Sequence, residues 1–143
     1  MKIIMGDMNA KVGMDNTRRE EVIGKHGARS EMNENGKRWA DFCQANDLVI
    51  SAMLFPHEEC HKRTWRSPDG VIVNQIDHLA FSSRWRSSLQ DVHVWRGADV
   101  LSDHHLLMAN VRLKIAKVRK GISGRVRFEV SKLKHLEVRS ALS

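Results

Sequence analysis

The chain begins directly on an apolar strand, MKIIM, which runs without a break into GDMNAKVG. A strand needs hydrogen-bonded neighbours, and there is no room before this one for neighbours on both sides, so the fold is expected to look incomplete at its N-terminus. In an extended chain residues i and i+2 point to the same side. Asp7 and Asn9 can therefore face one target together while Met8 turns back into the protein. Gly, Asp and Asn are also the commonest turn formers, so a tight bend accounts for the local pattern equally well.

The 143 residues suffice for one core and are short for two. After the first strand, residues 13 to 37 show no sustained period and read as a long loop with room for a short helix. Trp39, Phe42 and Cys43 then stand at helical spacing, which predicts a helix over about residues 35 to 46, followed by the buried strand LVISAML. KRTWRSPDGVIVNQIDHLAFSS reads as two strands joined by the SPDG turn, and DVHVWRG as another. In LLMANVRLKI the apolar residues Leu107, Ala109, Val111, Leu113 and Ile115 alternate with mostly polar ones, as in a half-buried strand. KLKHLEVRSAL, after Ser131, predicts a short amphipathic helix. Many strands, few helices and long loops indicate a layered α/β or α+β domain over residues 1 to 115, with 116 to 143 as a basic linker.

Hydrophobic content of 41% and charged content of 29% place the chain among ordinary globular proteins. The net charge of +7 is unevenly distributed. Residues 1 to 111 hold 14 basic and 15 acidic residues, a balance of −1, whereas residues 112 to 143 hold 10 and 2, a balance of +8. The positive excess thus belongs to the end of the chain, where it can meet phosphates or merely solvate a linker. No secretion signal follows Met1, no apolar run reaches membrane length, and Cys43 and Cys60 form no disulfide framework, so an intracellular protein with free thiols is expected.

Three polar clusters each set an aspartate beside an amide or imidazole side chain. They are Asp7 with Asn9, Asp77 with His78, and Asp103 with His104 and His105. Carboxylates that meet at strand ends can hold a hard divalent cation, and a histidine among them can move a proton or stabilise a phosphoryl oxygen. Each pair alone is more often a satisfied polar contact. HEECH, residues 57 to 61, formally matches the H-E-x-x-H zinc signature, but that chemistry needs a helix. Pro56 precedes the motif and strand-like KRTWRS follows, so His57, Cys60 and His61 read as a polar loop. Trp85 and Trp95, flanked by Arg84, Arg86 and Arg96, are the better candidates for stacking on bases, since Trp39 and Trp65 read as core.

Taken in order, GDMN, TW, a strand carrying IDH, and SDHH before an apolar strand resemble the C-terminal half of the endonuclease/exonuclease/phosphatase family, which includes pancreatic deoxyribonuclease and the apurinic/apyrimidinic endonucleases. FPHEECHKRTWRSPDG, NQIDH and WRGADVLSDHHL are most similar to the endonuclease domains of non-long-terminal-repeat retrotransposons, and the tail resembles the connector to their reverse transcriptase. The resemblance implies half of a four-layered α/β/β/α sandwich and a Mg²⁺-dependent endonuclease, with Mn²⁺ as the alternative ion, that nicks DNA in the nucleus. It implies catalytic roles for Asp7, Asn9, Asp77 and His104: Asp7 and Asn9 on the attacking water, His104 on the phosphate, and Asp77 holding the His104 ring. Metal ligation would fall to Asp7, Asn9 and Asp103, and DNA contact to Arg84, Trp85, Arg86 and Arg96.

The family's first half, with its metal-gripping glutamate, has no counterpart in this sequence. A missing N-terminal half or a homodimer partner would then complete the site. The rival expectation is a non-catalytic remnant with a basic nucleic-acid-binding tail, and an inositol-phosphate or sphingomyelin phosphodiesterase is disfavoured by the retrotransposon-like phrases.

Overall fold

A computed structural model of the chain describes residues 1 to 97 and 101 to 116. The helix expected after Ser131, the basic segment beyond residue 116 and the last three residues of WRGADV lie outside the described residues. What is described is a small, strand-rich α+β domain with one α-helix.

Strand β5 (Asp77–Ser82) organises the domain. It lies between β1 (Ile3–Asp7) and β2 (Leu48–Ile50), antiparallel to both. Successive residues of β5 face opposite sides and both sides are covered. Ala80 packs with Leu48, Ile50 and Ile4 against helix α1 (Glu34–Ala45), through Trp39, Ala40 and Cys43. Leu79 and Phe81 pack with Val49 against Leu89 and Val92 of β6 (Leu89–Trp95) and Leu107 and Ala109 of β7 (Leu106–Val111). β6 and β7 form their own antiparallel pair, and β3 (Trp65–Arg66) pairs with β4 (Val73–Asn74) across SPDG, where Gly70 adopts φ +76° to close the turn.

The helix starts one residue earlier than its spacing predicts. Asn33 accepts a hydrogen bond from Gly36 N at 2.7 Å as N-cap, and Gly36 sits where a Cβ would lie 1.9 Å from the Lys11 carbonyl oxygen, so only glycine lets the first turn approach that loop. Phe42, at helical spacing with Trp39, stays exposed and stacks on Trp39 from outside, ring centroids 5.6 Å apart. LVISAML is strand only through Ile50 and then turns into a 3₁₀ helix, Ser51–Met53. The last alternating strand also stops early, at Val111, leaving Leu113 and Ile115 exposed beyond it. Residues 13 to 37 hold no α-helix before Glu34, yet Val22 and Ile23 are buried there, and Ile23 bridges Ile50.

The two faces of β1 fare differently. Ile4 is packed on the α1 side, while Ile3 and Met5, on the face shared with Phe81 and Leu79, stay exposed because the β6–β7 pair does not reach that far. Substitution should report this difference. Phe81→Ala is expected to destabilise the domain by about 3–5 kcal/mol in urea unfolding, and Ile3→Ala to change it by less than about 0.5 kcal/mol.

Candidate functional site

Antiparallel register places Asp7, the last residue of β1, directly opposite Asp77, the first residue of β5. Directly opposed residues share a face of a sheet, so both carboxylates point to the β6–β7 side. His104, just before β7, completes the group: its Nδ1–H donates to Asp77 Oδ2 at 3.0 Å, and donor atoms of Asp7, Asp77 and His104 all lie within 4.8 Å of one another. Since Nδ1 is held by a carboxylate, Nε2 is the nitrogen left to meet a ligand. The His104 ring is about a third exposed and the Asp77 side chain 18% exposed, so the group opens to solvent from a firm base.

Burial of the His104 ring works against its charged form. The hydrogen bond to Asp77 and the negative charges of Asp77, Asp103 and Asp7 outweigh it and raise its pKa above the ordinary 6.5. His78 behaves oppositely. Being adjacent to Asp77 in a strand, it must face the other way, and it lies fully buried beside Trp39 with Nε2–H donating to the Ala10 carbonyl at 2.7 Å. Burial dominates there and lowers its pKa despite the Ala10 carbonyl and nearby carboxylates, which act to raise it. The pairing of Asp77 with His78 as one polar cluster is therefore corrected: one serves the site and the other the core.

The GDMN segment resolves in favour of the turn at Asn9. The strand ends at Asp7, Asn9 takes φ +47°, and its N–H donates to Asp7 Oδ1 at 2.8 Å. The expectation that residues 7 and 9 share an extended face fails for this reason, whereas Met8 does pack toward the α1 core. The Asn9 carbonyl in turn accepts from Asn33 Nδ2 at 3.1 Å and Asn35 Nδ2 at 3.3 Å, and Asn33 Oδ1 also accepts from Lys11 N at 2.9 Å. The helix cap thus anchors the loop that carries Asp7. Asp103 lies beside the convergent group rather than in it: its carboxylate accepts from Trp65 Nε1 at 2.8 Å, which holds it below the usual carboxylate range.

One residue to which the sequence reading gave no role ties these pieces together. Thr64, fully buried, accepts through its hydroxyl from the backbone N–H of Ile76 and Asp77, each at 3.0 Å, while its carbonyl accepts from His105 N at 2.7 Å. It therefore fixes both the start of β5 and the segment bearing His104. Along the chain it is marked only as the first residue of the TW pair that enters the family resemblance, which assigns it no role.

Arg84, Trp85 and Arg86 lie on the 3₁₀ helix Ser83–Ser88, with the Arg84 guanidinium 6.0 Å from the Trp85 ring centroid. Arg84 and Trp85 line a groove with Arg112 and Lys114, whereas Arg96 lines a different one with Arg63, Arg66 and His105, so the four expected nucleic-acid contacts do not form one patch.

No protein-family model matches the chain. It is similar to Craniofacial development protein 2 of Tragulus javanicus, 44% identical over 117 residues, covering 82% of this chain and 20% of that protein. It is also similar to Craniofacial development protein 2 of Bos taurus, 43% identical over 117 residues, 82% of this chain and 19% of that protein. The chain spans about a fifth of the length of these curated relatives. These relatives correct the expectation of a retrotransposon endonuclease: they are named for craniofacial development, not for a DNA-nicking enzyme or an association with reverse transcriptase. The rival remnant with a nucleic-acid-binding tail gains no support from them either. Short ordered motifs report side chains that a site needs, and such a set is a narrower observation than similarity over 117 residues.

The two histidines should titrate apart. In an NMR titration His104 is expected above pH 6.5 and to fall in Asp77→Asn, while His78 is expected below pH 6.5. The raised value means that the His104–Asp77 contact stabilises fully below the unfolded pKa and fades as pH rises through the folded one. The depressed value of His78 destabilises the fold as pH drops below its unfolded pKa.

Proposed function

We propose that Asp7, Asp77 and His104 form a divalent-cation-assisted site for phosphate-ester hydrolysis, a phosphodiesterase reaction class. The observation that carries this reading is the convergence of two carboxylates from adjacent strands on a histidine whose Nδ1 one of them holds at 3.0 Å. An oxygen-rich pair open to solvent suits Mg²⁺, which binds through one or two carboxylates and keeps several waters, with Mn²⁺ as the alternative. Asp7, the more exposed, and Asp77 would hold the ion, with Asn9 and Asp103 as neighbours that place its waters. Bound there, the cation would offset charge on the phosphoryl oxygens.

The remaining chemistry belongs to the chain. His104, its Nδ1 held by Asp77, turns Nε2 toward a non-bridging phosphoryl oxygen and in its protonated form stabilises the charge that gathers there during in-line attack of water. Asp77 keeps that ring in place, and Asp7 accepts the proton of the attacking water as the phosphorus–oxygen bond to the leaving group breaks. The finer architecture belongs to the same proposal: a helix on one face and a strand pair on the other is the layering of half an α/β/β/α sandwich, and exposed Ile3 and Met5 mark where further chain would cover it.

The full chain with bis(p-nitrophenyl) phosphate and Mg²⁺ provides the test. Hydrolysis is expected to stop with a chelator and to drop by about 10²–10³-fold in His104→Ala. Hydrolysis absent in Mg²⁺ and Mn²⁺ alike, or unchanged in that variant, would overturn the reading.

A further inference from the structure

A second cluster of metal-ligating side chains lies apart from Asp7 and His104. Asp91 and His93 stand two apart on β6, so both leave the face opposite the buried Val92 and Val94. A bulge between Leu89 and Asp91 makes this possible: it adds one residue to the strand, so that Leu89 and Val92, three apart, both reach the core. His57 arrives from the loop before the 3₁₀ helix Glu59–His61. Its Nε2 lies 2.6 Å from Asp91 Oδ1, and His93 Nδ1 lies 2.8 Å from Asp91 Oδ2. The two imidazole centroids are 5.5 Å apart with planes tilted by 53°, so the rings are not stacked and their nitrogens converge on the carboxylate.

We propose that His57, Asp91 and His93 form a binding site for a borderline transition-metal cation of the Zn²⁺ class. Two imidazole nitrogens and a carboxylate oxygen, all within 4.8 Å of one another, are a donor set that suits zinc and not magnesium, which avoids imidazole. Zn²⁺ ligand bonds of about 2.0–2.2 Å require the three donors to close around a common centre. The side chains are 26%, 29% and 23% exposed, so solvent reaches the group and a fourth coordination position is open to water or an added ligand.

The arrangement also accounts for HEECH. The motif is not used as a helical zinc signature, because Glu59–His61 is a single 3₁₀ turn and His61 turns away, its Nδ1 3.3 Å from the Val94 carbonyl. Of its two histidines, His57 is the one placed to complete a site, and its partners come from β6. A cation there would tie the loop following β2 to the strand pair that covers the Phe81 face.

The full chain, stripped of metal by a chelator, is titrated with Zn²⁺ against a chromogenic zinc indicator, with Mg²⁺ in parallel. Expected is one Zn²⁺ per chain and a rise in melting temperature on binding. Affinity should be weakened more than about tenfold in His57→Gln and again in His93→Gln, with no change in His104→Ala or Cys60→Ser. Circular dichroism establishes that each variant is folded; His57→Gln, in a surface loop, serves if His93→Gln is not. Absence of Zn²⁺ binding, binding indifferent to His57→Gln, or binding lost in His104→Ala or Cys60→Ser would each overturn the proposal.

Discussion

The antiparallel pairing of β1 with β5 is the constraint on which the rest depends. Ladder hydrogen bonds between residues about seventy or more positions apart decide which side chains of β1 stand beside which side chains of β5. Had the register slipped by one residue, every side chain of β1 would change face: Asp7 would leave Asp77, and Ile4 would leave the helix. Burial on the α1 side prevents that slip, since Ile4 and Ala80 pack there with Leu48 and Ile50. The site is thus held by hydrophobic contacts on the face opposite to it.

From this pairing the division of labour within β5 follows. Leu79 and Phe81 look toward β6 and β7, His78 and Ala80 toward the helix, and Asp77 stands at the strand's open end on the β6–β7 side. A buried histidine with a lowered pKa and a histidine whose charge is favoured by carboxylates lie within one small domain, and the face each occupies sets the difference. Asn33 and Thr64 supply the connections that strand pairing does not: one cements the helix start to the loop bearing Asp7, and the other links the start of β5 to the segment bearing His104.

Much of this is legible along the chain, and the misses have definite physical causes. Period-2 and period-3.6 patterns locate α1 and β7 because apolar periodicity records which face is buried, whereas the single strand read after SPDG is divided between β4 and β5 of different sheets. The patterns fail at Phe42, Leu113 and Ile115, where apolar residues continue a pattern beyond the surface available to cover them. Asp77 and His104 stand out as motif residues, yet grouping Asp77 with His78 ignores the alternation of a strand, which already separates neighbours. An extended Asn9 fails as well, and its positive φ shows the turn that its residue type equally allows. The resemblance carried by GDMN, IDH and SDHH leads to a site but also to a protein type that the relatives do not bear out.

By itself the sequence determined which residues are apolar with which period, where turns must fall, and which side chains carry charge and proton chemistry, because these are properties of residues and their near neighbours. The resemblance already implied that Asp77 holds the His104 ring; only the tertiary structure decided that Nδ1 is the nitrogen held, that Asp7 faces Asp77, that Thr64 is a junction, and that His57 meets Asp91 and His93. Each of these contacts joins segments more than ten residues apart. Long-range register is set by packing of the whole core, and no local pattern encodes it.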